Sequence, residues 1–445
     1  MKIKGNQKGV SLKAAVAKDI ITPPIGTSLA GYAFKKEGSV GIHDELFVRA
    51  VVLEQGKTRV ALAVSDVIGF ERFTVEKVRK MVEDTTGIPH QNVMVAATHT
   101  HSGPVGLFEF KEYKGILSSV SGAYMGDKLD RSLVEILVRK IAGAIQTASA
   151  RMKEVRVGTL IGRVEEIGKN RRNPADISDP DVTTTLIEGA HGPLSILYSY
   201  ACHPTVLHQD NRLISADFPG RSNLQLERTL KTLPIYMTGA AGDISTRYTR
   251  RDTNFQEIER LGSILAGEVL KIANKIVPKD VSCMSIQSKR VQLPVKRLPP
   301  LEETQNKLND AKQHLAQLRN QQASPAQIKT AETQLEGAQM TINLLKKSKI
   351  TELKSIEIEI QLLTIGDTSV LAIPGELFVQ PGNYIKEYAQ SKNLHLHICC
   401  YANGYIGYIP TKEAFEDSDY ESSVAIVGPQ AASILVEAAK DLIEG

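Results

Sequence analysis

The chain has 445 residues, 42% of them hydrophobic and 23% charged, which is enough to bury one large core or two smaller ones. Its formal net charge is only +4, so the concentrated basic face that binds nucleic acid is not expected. No apolar run approaches the roughly 20 residues that span a bilayer, and the first 13 residues are polar and basic without an apolar segment. Neither a transmembrane segment nor a signal peptide is therefore expected in this sequence; a cytoplasmic protein fits, as does a secreted one whose leader has been removed.

Alternating strand and helix patterns begin with Arg59 to Ser65, a short Val- and Ala-rich run typical of a buried strand. From Val75 to Asp84 the spacing predicts a helix, with Val75, Val78 and Val82 on one face and Gly87-Ile88-Pro89 ending it. Asn92 to Ala97, Leu194 to Ala201, Ile356 to Ile365 and Val370 to Ile373 read as further strands. The alternation predicts an α/β fold of mixed sheets layered with helices. One segment departs from it. From Leu301 to Lys349 the composition shifts to Gln, Lys, Glu, Ala and Leu, with two apolar stripes at three-four spacing. Ser324 and Pro325 between the stripes can cap and start a helix. This predicts an antiparallel coiled-coil hairpin inserted in a domain covering residues 12–445. Its expected uses are a lid, an arm for self-association or partner binding, or a surface excursion that buries its seam only on itself. The four cysteines, Cys202, Cys283, Cys399 and Cys400, lack zinc-type spacing and are expected to be reduced and buried.

Chemistry-bearing residues gather where predicted strands end. Thr98-His99-Thr100-His101-Ser102-Gly103-Pro104 follows an apolar strand. His99 and His101 are two apart, so extended backbone points both to one side. Tyr200-Ala201-Cys202-His203-Pro204 repeats the pattern of histidine after strand. Two such motifs in one chain suggest a shared metal, because zinc favours imidazole nitrogen. The small residues of Gly239 to Ser245 permit close backbone approach to a ligand, and without a lysine they form no phosphate-binding loop. Glu376, in Pro374-Gly375-Glu376, could serve as ligand, general base or helix N-terminal acid. Arg171 follows Gly168-Lys169-Asn170 and could hold an oxyanion or lie in solvent. Tyr401, Tyr405, Tyr408 and Tyr420 could equally be interior packing with satisfied hydroxyls.

Together these motifs, from about Ala14 onward, resemble the neutral, non-lysosomal ceramidase family. The opening Ile20-Ile21-Thr22-Pro23-Pro24, Leu29-Ala30-Gly31-Tyr32, His43-Asp44 and Asp66 fit its first elements, and Thr98 to Pro104 is the most specific match. The resemblance implies one zinc ion per chain, held by His99, His203, Glu376 and Tyr408, the last in Tyr405-Ile406-Gly407-Tyr408-Ile409. It assigns Ser245 to positioning of substrate or water, and makes His101, Arg171 and Tyr420 stabilisers of a developing oxyanion. The implied activity is zinc-dependent hydrolysis of the N-acyl amide bond of ceramide or a related N-acyl compound. An esterase or other acyl hydrolase on the same site, and a non-catalytic binding protein on this scaffold, are the competing readings. Three features depart from the family pattern: the hairpin, Thr246 in place of a proline, and the end of the sequence soon after Tyr420, before the family's usual immunoglobulin-like domain.

Overall fold

The computed structural model describes residues 10–32, 37–109, 128–347, 353–417 and 420–445. Eight strands build the larger sheet: β1 (Lys13–Ile20), β2 (Phe47–Gln55), β3 (Thr58–Ser65), β4 (Val93–Ala97), β5 (Lys153–Arg163), β6 (Asp181–Gly189), β7 (Gly192–Tyr200) and β8 (Leu233–Thr238). Their order is β8-β7-β6-β5-β1-β2-β3-β4. Most neighbours run antiparallel, but β3 pairs with β4 and β7 with β8 in parallel. A second sheet contains β9 (Met284–Pro294), β10 (Ser355–Ile365), β11 (Thr368–Ala372) and β12 (His395–Cys399) in that order. Its β11–β12 pair is also parallel.

Strand β2 shows why the sheets stack. Its Val48, Ala50 and Val52 enter a core shared with helices, while Val51 and Leu53 enter a core shared with Leu363, Val370 and Ala372 of the second sheet. A strand covered on both faces needs this near-continuous apolar run. The helical layer on the larger sheet includes α1 (Arg72–Thr86), α2 (Arg131–Ser149), α3 (Asp217–Leu230) and α4 (Phe255–Ala273). In α2, Asp130 accepts a hydrogen bond from Leu133 N at 3.0 Å and caps the start. Leu133, Leu137, Ile141 and Ile145 then line its buried face, each contributing about 1.5–3 kcal/mol on removal from water. Gly87, at φ +69°, ends α1 as the glycine motif in the sequence predicts.

The segment from Leu301 forms two helices, α5 (Leu301–Asn320) and α6 (Pro325–Lys347). Leu308 packs with Ala338 and Ile342, so the two run antiparallel. Ser324 and Gln327 cap α6 reciprocally: Gln327 N donates to Ser324 Oγ at 3.3 Å and Ser324 N to Gln327 Oε1 at 3.0 Å. The last two residues of the predicted hairpin, 348 and 349, lie outside the described residues. Helices α7 (Val379–Ser391), α8 (Tyr420–Val424) and α9 (Ala431–Glu444) follow, with α7 and α9 covering the outer face of the second sheet. Cys202, Cys399 and Cys400 are free and buried as expected, whereas Cys283, in the turn before β9, is free and exposed.

Candidate metal centre

Parallel strand pairs point their carboxyl ends the same way, and here three such pairs converge. His99 lies two residues beyond β4, His203 three beyond β7, and Glu376 four beyond β11. The junction is sealed by backbone: Ala97 N donates to Tyr401 O at 3.1 Å, and Cys400 N to Thr238 O at 2.9 Å. Beyond the strands, Glu376–Leu377 pairs in parallel with Tyr408–Ile409, with Glu376 directly opposite Tyr408. Side chains opposite one another share a face of the ladder, so this register brings carboxylate and phenol together across 32 residues of sequence. An isolated bridge joins His203 to Ser245 in the same way.

The imidazoles are oriented identically. Nδ1–H of His99 donates to Ile68 O at 2.7 Å, that of His101 to Gly31 O at 2.9 Å, and that of His203 to Ala241 O at 2.5 Å. Each ring therefore turns an Nε2 lone pair inward, the tautomer that metal-binding histidines use. Gly31 makes the His101 contact feasible: at φ +94° an added Cβ would lie 2.3 Å from the His101 ring. His99 itself sits at φ +67°, a left-handed conformation uncommon outside glycine and found at functional sites.

The inward lone pairs meet acceptors, not donors. His101 Nε2 lies 3.3 Å from His99 Nε2. His203 Nε2 lies 2.9 Å from Glu376 Oε2 yet is a buried atom without a hydrogen-bond partner, as a ring nitrogen is when Nδ1 carries the only proton and the facing oxygen belongs to a carboxylate. Converging lone pairs on buried atoms repel unless a cation stands among them, and this donor set suits a divalent metal. His99, His101 and His203 form a group whose ligand atoms all lie within 4.8 Å of one another; a metal could be held there.

Electrostatics keep these ligands in metal-ready form. Burial, then the charge of Arg171, pushes His203 down to about 4. Burial, reinforced by His99 and His203, holds His101 well below its ordinary value. Burial opposes ionisation of Glu376, but any positive charge on His99 or His203 outweighs it and holds the carboxyl well below the usual carboxylate range. Two tyrosines anchor that carboxylate: Tyr405 Oη donates to Oε1 at 2.5 Å and Tyr401 Oη to Oε2 at 3.3 Å. Tyr401 also stacks on His99, with ring centroids 3.8 Å apart.

Arg171 is buried, not a surface charge. Its Nε donates to Glu421 Oε1 at 2.6 Å, and its Nη2 to Gly242 O at 2.8 Å and Tyr408 Oη at 2.9 Å. Gly242 also lets the backbone at Glu376 pack close, since a Cβ there would meet Glu376 O at 2.5 Å. Tyr420, first residue of α8, sets its ring edge against Tyr408 at 6.0 Å. His101, Arg171, Ser245, Tyr408 and Tyr420 all line one cavity. All eight site residues expected from the sequence thus fall in one place. The roles of Tyr401, Tyr405 and Glu421 were not read from the sequence. The tyrosine-rich run and the Tyr420-Glu421 pair were visible in it, but which atoms they hold depends on the register of Glu376 against Tyr408.

The neutral/alkaline non-lysosomal ceramidase N-terminal family model matches residues 14–241, just over half of the chain. A neutral ceramidase of Pseudomonas aeruginosa is 23% identical over 468 residues, covering 92% of this chain and 68% of that protein. The Drosophila melanogaster neutral ceramidase is 29% identical over 231 residues, but the match spans only 47% of this chain and 31% of the fly protein. Among solved structures, the Pseudomonas aeruginosa neutral ceramidase superposes with a TM-score of 0.74 at 21% identity, covering 98% of this chain and 74% of that one. A ceramidase complexed with C2 gives 0.72 at 18% identity. These two share the fold, and the matched segment 14–241 contains both histidine motifs and Arg171. The chain belongs to the neutral/alkaline non-lysosomal ceramidase family.

Proposed function

We propose that this protein is a zinc-dependent amidohydrolase that cleaves the N-acyl amide bond of ceramide or a related N-acyl compound. The observation that carries the proposal is the buried convergence of unprotonated ligand atoms, above all His203 Nε2, orphaned 2.9 Å from Glu376 Oε2. His99, His203, Glu376 and Tyr408 would hold the ion, with His101 beside them. The names of the relatives, neutral ceramidases, support amide hydrolysis as the reaction. A zinc ion bound there would supply Lewis acidity and activate water near neutral pH.

The chain's own residues supply the remainder. Arg171, fixed by Glu421 and Gly242, keeps a positive charge on Tyr408 Oη and beside the cavity where a carbonyl oxygen would gain negative charge. His101, neutral and donating through Nδ1 to Gly31, presents Nε2 to the same space as a proton acceptor. Ser245 Oγ accepts from Arg247 N at 3.3 Å, which leaves its O–H free to orient substrate or water. Tyr420 lines the same cavity.

The test is elemental analysis of the purified protein coupled to fatty-acid release from a short-chain fluorescent ceramide, with and without chelator. About one zinc per chain and chelator-sensitive release are expected. Zinc with faster cleavage of the matching ester would make the protein an esterase, and absence of zinc after reconstitution would refute the metal-hydrolase reading.

A further inference from the structure

Helix α6 forms one wall of the same site. Lys329, Thr333 and Glu336 recur at four and three residues, so they share a face, and they line the same cavity as His101, Ser245 and Tyr420. The helix is fastened along its length. Arg247 Nη1 donates to Thr330 Oγ1 at 3.1 Å, and Thr341 Oγ1 to Ser423 O at 3.2 Å. Between them, a Cβ added to Gly337 would lie 3.2 Å from Tyr420 Cα. The hairpin is therefore not a free excursion on every side.

The space enclosed is about 80 Å³, well below the roughly 300 Å³ at which ordinary ligand pockets begin. Among the described residues no Leu, Ile, Val, Met or Phe lines it. Four cations among the described residues do, Arg171, which is paired with Glu421, and Arg247, Arg250 and Lys329, against one acid, Glu336. Arg247 donates to neutral oxygens, Arg171 O and Thr330 Oγ1, and Arg250 donates to Thr205 O at 2.7 Å. Neither arginine is ion-paired with a carboxylate among the described residues. Lys329, only 14% exposed, is 3.6 Å from Glu332. His208, which lines the same cavity, is pushed down to about 4 by burial and then by Lys329 and Arg250, against Asp210 and Glu332.

A long alkyl chain placed here would strip water from these cations and return no partner. An anion would gain charge-assisted hydrogen bonds. Resting on the amide-hydrolase reading, we infer that the amine half of the substrate, lodged under α6, is small and carries a carboxylate or phosphate held by Arg247, Arg250 and Lys329. The acyl half, being apolar, lies elsewhere.

The zinc-loaded protein would be given N-octanoylglycine, N-octanoyl-phosphoethanolamine, neutral N-octanoylethanolamine and a short-chain ceramide. One of the two anionic amides should exceed the neutral one and the ceramide in kcat/KM by roughly tenfold or more, and which of them does identifies carboxylate or phosphate. Lys329→Glu should abolish the preference, and Lys329→Arg should retain it. Equal use of neutral and anionic amides, or a preference that survives Lys329→Glu in folded protein, overturns the inference. If no amide is cleaved, the hydrolase reading fails by itself, and calorimetric binding of N-octanoylglycine and of N-octanoyl-phosphoethanolamine decides the anion site separately. Binding of either probe weakened roughly tenfold by Lys329→Glu supports the site; equal binding by the variant, or binding of neither probe by the unaltered protein, overturns it.

Discussion

Glu421→Gln is the most informative perturbation because it separates the support of the site from the metal. Glu421 and Arg171 have side chains 4% and 8% exposed and meet at 2.6 Å. The amide retains shape and one acceptor but leaves the Arg171 charge buried without its counter-ion. Breaking a buried pair in this way costs about 3–5 kcal/mol, and the retained acceptor places the expected loss near ~3 kcal/mol. Unfolding entropy of about 2.1 cal/mol/K per residue across 445 residues amounts to ~0.9 kcal/mol/K, so Tm should fall by about 3 °C. Arg171→Met alone should be similarly harmful, since it strands the carboxylate. The double variant should recover part of the loss, because neither charge is then left unpaired. Calorimetric unfolding of all four proteins, each loaded with zinc, measures the coupling. Effects that add within about 0.5 kcal/mol would show that the two groups do not act as a pair and would refute the reasoning.

Other outcomes follow from the same geometry. His203→Ala and His99→Ala should each lose zinc and activity together; elemental analysis and turnover on the same sample check this, and a metal-free but active variant would break the assignment. Ser245→Ala should keep its zinc and slow turnover about tenfold or more, whereas unchanged kcat would remove Ser245 from the reaction. His397 is buried between the sheets, its ring nitrogens 2.7 Å from Thr185 Oγ1 and 3.0 Å from Ser199 Oγ, and burial pushes it down to about 3. Its folded value lies below the unfolded one of about 6.5, so the unfolded chain binds more protons as pH falls. Stability should therefore decline from pH ~6.5 towards ~3 by up to ~1.4 kcal/mol per pH unit from this group. His397→Gln should flatten that slope in denaturant titrations at several pH values, and an unchanged slope would exclude His397 as a source of acid sensitivity.

Much of the frame was legible in sequence because burial on both faces leaves a mark. The runs at Arg59 to Ser65, Asn92 to Ala97, Leu194 to Ala201 and Ile356 to Ile365 all fall on strands, with bounds shifted by a residue or two. Of the helices covering the larger sheet α1 was read from its spacing, but α2 and α4 went unread, although Leu133, Leu137, Ile141 and Ile145 carry a regular period. Strand β1 was also missed: its outer residues alternate between half-buried and exposed, so no apolar run announces it.

The histidine motifs were readable because residues two apart on an extended segment must share a side, and because both follow a strand. Local sequence could also nominate Glu376, Arg171 and the tyrosines as able to hold charge or metal. It could not choose between those roles and the alternatives of helix cap, solvated charge and interior packing. That choice needed the register that sets Glu376 opposite Tyr408, the loop that buries Arg171 against Glu421, and the packing that brings Lys329 of α6 to the cavity of His101. These contacts join residues tens to hundreds of positions apart, and their energies depend on desolvation. Chain order alone therefore determined the strands and the candidate ligands, while only the folded packing decided which lone pairs face one another without protons to share.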